Sequence, residues 1–178
     1  MANPKQLEAI QSGPEAWNQW LAAQGNDLAI DLSGADLSHV NLNGVKFHKA
    51  NLTGVNFFQA DLVHADLSDA DLTDSDVSGG DLRGANLAGA RMIRVNLSST
   101  DLSSANLSGA DLTSADLSQT LAHAANFRSA NFADIMGYRA NLCSADLSGA
   151  NFLGAKIATA NLTDCIQDDH TVWPLPKS

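Results

Sequence analysis

A chain of 178 residues with 44% hydrophobic content is long enough for one continuous core and too apolar to stay disordered. Its net charge of −10, from 20 acids against 10 bases, argues against direct binding of nucleic acid or anionic membrane, because an acidic surface repels both. A basic protein partner remains open.

The chain starts MANPKQLEAIQSG, with no apolar run after a charged start. No stretch approaches the roughly 20 apolar residues of a membrane span, and a soluble, cytoplasmic protein is expected. Residues 1–25 carry helix signals: Pro4 near a start, Leu7 and Ile10 three apart, a break at Gly13-Pro14, then Trp17, Trp20 and Leu21. Two short helices are predicted within 4–24, forming an N-terminal cap through Trp17, Trp20 and Leu21.

Residues 26–164 are governed by a period of five, read in stretches such as SANLSGADLTSADLS. From Ile30 to Asp164 the register runs through 27 pentads without insertion or deletion. The central position of the pentad is Leu or Phe in 22 of the 27, with Asp or Asn just before it in 22 and most often Ala before that. Five residues advance a helix by about 500°, so no apolar stripe could form. In a strand, an odd period would throw alternate leucines onto opposite faces. Each pentad must therefore contain its own bend, with Ala and the centre both pointing inward from a short extended piece. The chain coils around a narrow leucine core, and stacked coils pair the backbone.

These residues resemble the pentapeptide-repeat family, whose pattern is A(D/N)LXX, over residues 30–164. The long uninterrupted repeat after N-terminal helices resembles cyanobacterial members. The resemblance implies an all-β solenoid: a right-handed quadrilateral parallel β-helix with four pentads per coil. On that basis the repeat makes about seven coils and a rod of roughly 32 Å. Charge placement gives a partial check on the coil length. A 20-residue coil stacks Lys46 with Asp66, Lys49 with Asp69, Arg91 with Asp71 and Asp111, and Arg94 with Asp74. Three pentads per coil is disfavoured, whereas four and five are not distinguished.

Beyond Asp164 the register fails, and residues 165–178 read as a capping tail with Val172, Trp173 and Leu175. A solenoid needs such covers, since bare ends invite association. Two cysteines, Cys143 and Cys165, match neither a disulfide framework nor a zinc motif.

No catalytic residue, metal or cofactor is expected. The five histidines fall on different faces or distant coils, and a leucine-filled solenoid should hold no pocket. Asp61, Asp81 and Asp101 should form an acidic column about 4.8 Å apart, able to attract a cation or a basic partner. Three pentads depart from the pattern: Arg91-Met92-Ile93-Arg94, Leu121-Ala122-His123 and Ile135-Met136-Gly137-Tyr138-Arg139. Ala122 and Gly137 stand at centres, and the gaps they leave are closed by neighbours, by inward rotation of Leu121 and Met136, or by a bulge. Arg91, Arg94, His123, Met136, Tyr138 and Arg139 are the candidate interaction surface. The expected function is a non-catalytic protein-interaction or scaffold module, a monomer with an unknown protein partner. The resemblance also implies an alternative, since some members mimic duplex DNA and bind DNA gyrase. Those are typically dimers through a C-terminal helical element, which this tail lacks.

Overall fold

The computed structural model describes residues 2–25 and 28–174, which leaves Leu175 outside the described residues. Two helices precede the repeat: α1 (Pro4–Gln11) and α2 (Pro14–Gln24). Asn3 starts α1 by accepting hydrogen bonds from the Lys5 and Gln6 amides at its side-chain oxygen, which serves two of the orphan donors of a helix start. Gly13 joins the helices at φ +95°, a conformation that a side chain would strain.

From Asp31 onward, residues 20 apart form parallel single-residue bridges: Asp31 with Asn51, Asn51 with Asp71, and so on. One coil is therefore four pentads. The four columns of bridging residues define four faces, named here by their first members Asp31, Asp36, Asn41 and Lys46. The ladder does not stop at Asp164. Ile166 bridges Asp146, and Val172 bridges Asn151 after one inserted residue.

The regular pentads are held by the same three devices. The centre and the residue two before it point inward and are buried, as with Ala60 and Leu62 or Ala105 and Leu107. A turn follows in which the carbonyl of the centre accepts from the N–H three residues on, as Leu62 does from Ala65. Its third residue has positive φ, the mark of a type II turn. Residues as large as His64 (φ +56°) and Gln119 (φ +61°) adopt it, at a cost of about 1 kcal/mol each. In that conformation their N–H groups bond to carbonyls of the next coil, Arg83 and Tyr138 respectively. Finally, the Asp or Asn before the centre accepts from the N–H two residues on, as Asp101 does from Ser103 at 2.9 Å. This Asx turn is the physical reason for those residue types at that place.

Amides also link the coils. Asn86, Asn106 and Asn126 each donate from Nδ2 to the side-chain oxygen one coil earlier. Where Thr100 and Thr120 replace the small inward Ala, their hydroxyls donate to the carbonyls of Val77 and Leu97, which satisfies a buried polar group.

Two of the expected repairs at Ala122 and Gly137 do not occur. Neither Leu121 (48% exposed) nor Met136 (38%) rotates inward, and the ladder passes through both pentads without a bulge. Both residues occupy the outward bridging position, so turning them in would break the register. At Gly137 the space is taken from the next coil, where Ile157 Cγ2 lies 2.9 Å from the position a Cβ would hold.

Candidate interaction surface

The candidate residues do not converge on one place. Arg91 and Arg94 lie on the Asp31 face and are held by neighbouring coils. Arg91 Nη1 donates to Asp71 at 3.1 Å, and Arg94 makes two bonds to Asp74 at 2.6 and 2.7 Å. The Arg94 hydrogen bonds and charge hold the Asp74 carboxyl below its ordinary range. These arginines tie adjacent coils together. Lys46 and Lys49, in register with Asp66 and Asp69, make no ion pair within 4.0 Å among the described residues.

The column Asp61, Asp81, Asp101 stands in register on the Asn41 face but is not a bare acidic strip. Arg83 grips Asp81 at 2.6 Å and approaches Asp101 at 3.9 Å. Its hydrogen bonds lower the Asp81 pKa. Asn43 donates to Asp61 at 2.7 Å. A side chain placed just after a centre can reach the neighbouring carboxylates, which counters the like-charge repulsion expected of such a stack. Among the described residues, no group of three or more His, Cys, Asp or Glu could hold a metal ion. His123 is exposed on this same face, near Leu121 and away from the remaining candidates.

Met136, Tyr138 and Arg139 do stay together, at the C-terminal end of the Asp36 face. Tyr138 is 48% exposed. Arg139 differs from Arg83, Arg91, Arg94 and Arg128 in having no ion pair among the described residues. Beside them lies an open groove of about 620 Å³ lined by Tyr138, Leu153, Lys156, Ile157 and Pro174. The expectation of no pocket therefore fails at the rod's end. Sequence reasoning missed Leu153, Lys156 and Ile157. A signal was present, since Lys156 and Met136 stand one coil apart where Asp or Asn belongs.

At the other end, Trp17 is fully buried, stacks on Trp20 with centroids 5.3 Å apart and meets Phe47 edge-on at 5.6 Å. Trp20 and Leu21 are partly buried against the same core.

Solved structures similar to this chain include three pentapeptide repeat proteins. The full-length plasmid-mediated fluoroquinolone resistance protein QnrB1 is 14% identical, covers 82% of this chain and 95% of its own, and has a TM-score of 0.44. Rfr23 from the cyanobacterium Cyanothece 51142 is 24% identical over 80% and 90%, with a TM-score of 0.32. HetL, involved in heterocyst differentiation regulation in the cyanobacterium Nostoc sp. strain PCC 7120, is 26% identical over 85% and 93%, with a TM-score of 0.27. No curated protein matches the sequence. The family model described as pentapeptide repeats matches in overlapping segments from residue 30 to residue 164, and with that span the chain belongs to the pentapeptide repeat family.

Proposed function

We propose that this chain is a non-catalytic interaction or scaffold module, a cytoplasmic rod of about seven four-sided coils that presents its surface to another protein. The observation that carries the reading is the division of labour among side chains. Centres from Leu32 to Phe152 fill the core, and the carboxylates and amides around them are engaged in turns and in links between coils. The surface left over includes exposed Met136 and Tyr138 with Arg139, which has no ion pair among the described residues. Tyr, Met and Arg are the residue types enriched at protein interfaces.

The test is cross-linked affinity capture from host-cell lysate, comparing wild type with a Met136→Ala, Tyr138→Ala, Arg139→Ala variant. A partner retained by wild type and lost by the variant is expected. Capture of no protein above a control resin would overturn the module reading in favour of a purely structural role.

The net charge of −10 favours one second reading, a duplex-DNA mimic directed at DNA gyrase. Against it, Arg83, Arg91, Arg94 and Arg128 each close on an aspartate, so the negative charge is interrupted along the rod. Protection of gyrase supercoiling from a fluoroquinolone by the purified chain would promote this reading. Unchanged supercoiling would remove it.

A further inference from the structure

Among the described residues, the last coil of the Asp36 face ends in an unused β-edge. In the coil below, the Gly137 N–H donates to the Lys156 carbonyl, and the Lys156 N–H donates to the Ile135 carbonyl. The equivalent groups of the last coil are the Ile157 N–H and the Ala155 carbonyl, and neither has a backbone partner among the described residues. An exposed edge of this kind is a template for pairing with another strand. Beside it runs the groove lined by Tyr138, Leu153, Ile157 and Pro174. Lys156 stands on this edge and Arg139 in the coil below it, both without an ion pair among the described residues.

We propose that this edge binds an extended peptide segment of a partner in which an acidic residue is followed directly by a large apolar one. The register fixes that order. A strand continuing the ladder places one residue outward above Lys156, as Lys156 itself stands above Met136. The next residue points inward above Ile157, which is only partly buried. The outward residue meets Lys156, with Arg139 adding positive charge from the coil below, and is therefore a carboxylate; the inward one covers Ile157 and is apolar. The outward residue's N–H donates to the Ala155 carbonyl, and its own carbonyl accepts from the Ile157 N–H. One carboxylate, Asp134, lies against Gly154 at the corner of the groove, on the side away from Arg139. In a chain carrying −10, an acidic segment is repelled from most of the surface and gathered at the unpaired cations.

This inference rests on the module reading and names the partner's chemistry. The probe is a fluorescein-labelled, end-blocked decapeptide centred on Ala-Asp-Leu-Ser, followed by fluorescence anisotropy with the full chain. Three controls accompany it: the peptide with Lys for Asp, the peptide N-methylated at Asp, and an Arg139→Glu, Lys156→Glu variant of the chain. The acidic peptide should bind saturably, and each control should weaken binding by about tenfold or more. Both variant positions are exposed, and an unchanged circular dichroism spectrum and melting temperature establish that the variant is folded. Binding of neither peptide, equal binding of acidic and basic peptides, or full affinity after N-methylation would overturn the proposal. A chain that sediments as a dimer with a protected Ile157 amide would also overturn it by giving the edge to a second copy. If wild type captures a lysate partner that the Met136, Tyr138, Arg139 variant loses while the peptide fails to bind, this inference falls and the module reading stands.

Discussion

At the N-terminal end, α1 and α2 supply to two faces of the first coil, those of Asp31 and Lys46, what a preceding coil would have supplied; at the C-terminal end, nothing among the described residues does the same for Ala155 to Leu162. A coil presents different groups in its two directions. Toward the N-terminus it offers the N–H and C=O of each bridging residue. For Asp31 these are met by Gln6 Oε1 at 2.7 Å and the Asn3 N–H at 2.8 Å. For Lys46 they are met by Asn18 Oδ1 and Trp17 Nε1, both at 2.9 Å. Toward the C-terminus a coil offers the N–H of the centre and the C=O of the inward residue before it. Trp173 stacks on Phe152 with centroids 5.0 Å apart, and Val172 pairs with Asn151, so the Asp31 face is continued. The Asp36 and Asn41 faces stop bare among the described residues. Ending a solenoid thus takes side chains that imitate its backbone: among the described residues, Gln6, Trp17 and Asn18 do so at the N-terminal end, and Asp168 and Thr171 do so on one face at the C-terminal end.

The widest expected gap between the ends is in their tryptophans. Trp17→Ala removes a fully buried ring and the Lys46 carbonyl's donor, which should cost about 3–5 kcal/mol. Trp173→Ala removes a partly buried ring stacked on one partner and should cost about 1–2 kcal/mol. Urea unfolding with both variants measures the difference, and equal losses would erase the contrast. A polar pair repeats the comparison on a smaller scale. Gln6→Leu keeps the volume but strands the Asp31 N–H and the Ala29 carbonyl, to which Gln6 Nε2 donates at 2.8 Å, for a loss of about 2 kcal/mol. Thr171→Val removes a 3.1 Å bond to the Leu147 carbonyl, for about 1 kcal/mol or less. Hydrogen exchange sharpens the contrast without mutation. The amides of Asp31 and Lys46 should be protected, while those of Ile157 and Leu162 should exchange at nearly unfolded rates. Protection at Ile157 would mean that something covers the edge.

The contrast also marks how far the sequence could be read. The fivefold period, the inward pair and the bend in every pentad follow from which residues can be buried together, and all were legible. The coil length was not, because an Asx ladder such as Asn106 on Asn86 exists at any multiple of five when every pentad carries Asp or Asn. The charges that seemed able to decide it contributed only in part. Arg91 and Arg94 pair across coils, whereas Lys46 and Lys49 extend into solvent, where a flexible ammonium gains little from pairing. The groove was hidden for a different reason. It depends on Ile157 filling the space at Gly137 from one coil away, and on one inserted residue that brings Val172 above Asn151. Neither is a property of any local segment.

The smallest expected difference is in acid. The groups that close the N-terminal end are amides and an indole, and none of them titrates below neutral pH. The C-terminal tail is docked by a carboxylate. Asp168 accepts from the Gly149 N–H at 2.9 Å and the His170 N–H at 3.0 Å, and the Gly149 bond is the main cause that lowers its pKa from the ordinary value of 3.8. A carboxyl whose folded pKa lies below its unfolded one stabilises the folded form above the ordinary carboxylate range. That contribution is lost as pH falls through the folded value. The tail should therefore loosen below about pH 4, while the α1–α2 end holds. Single-tryptophan variants that retain either Trp173 or Trp17 report the two ends by fluorescence. Trp173 should shift first on acidification, and Asp168→Asn should give a tail whose Trp173 signal no longer changes over that range. Coincident transitions at both tryptophans would mean that the rod opens as one unit, with its many other depressed aspartates, such as Asp74 and Asp81, setting the midpoint for both ends together.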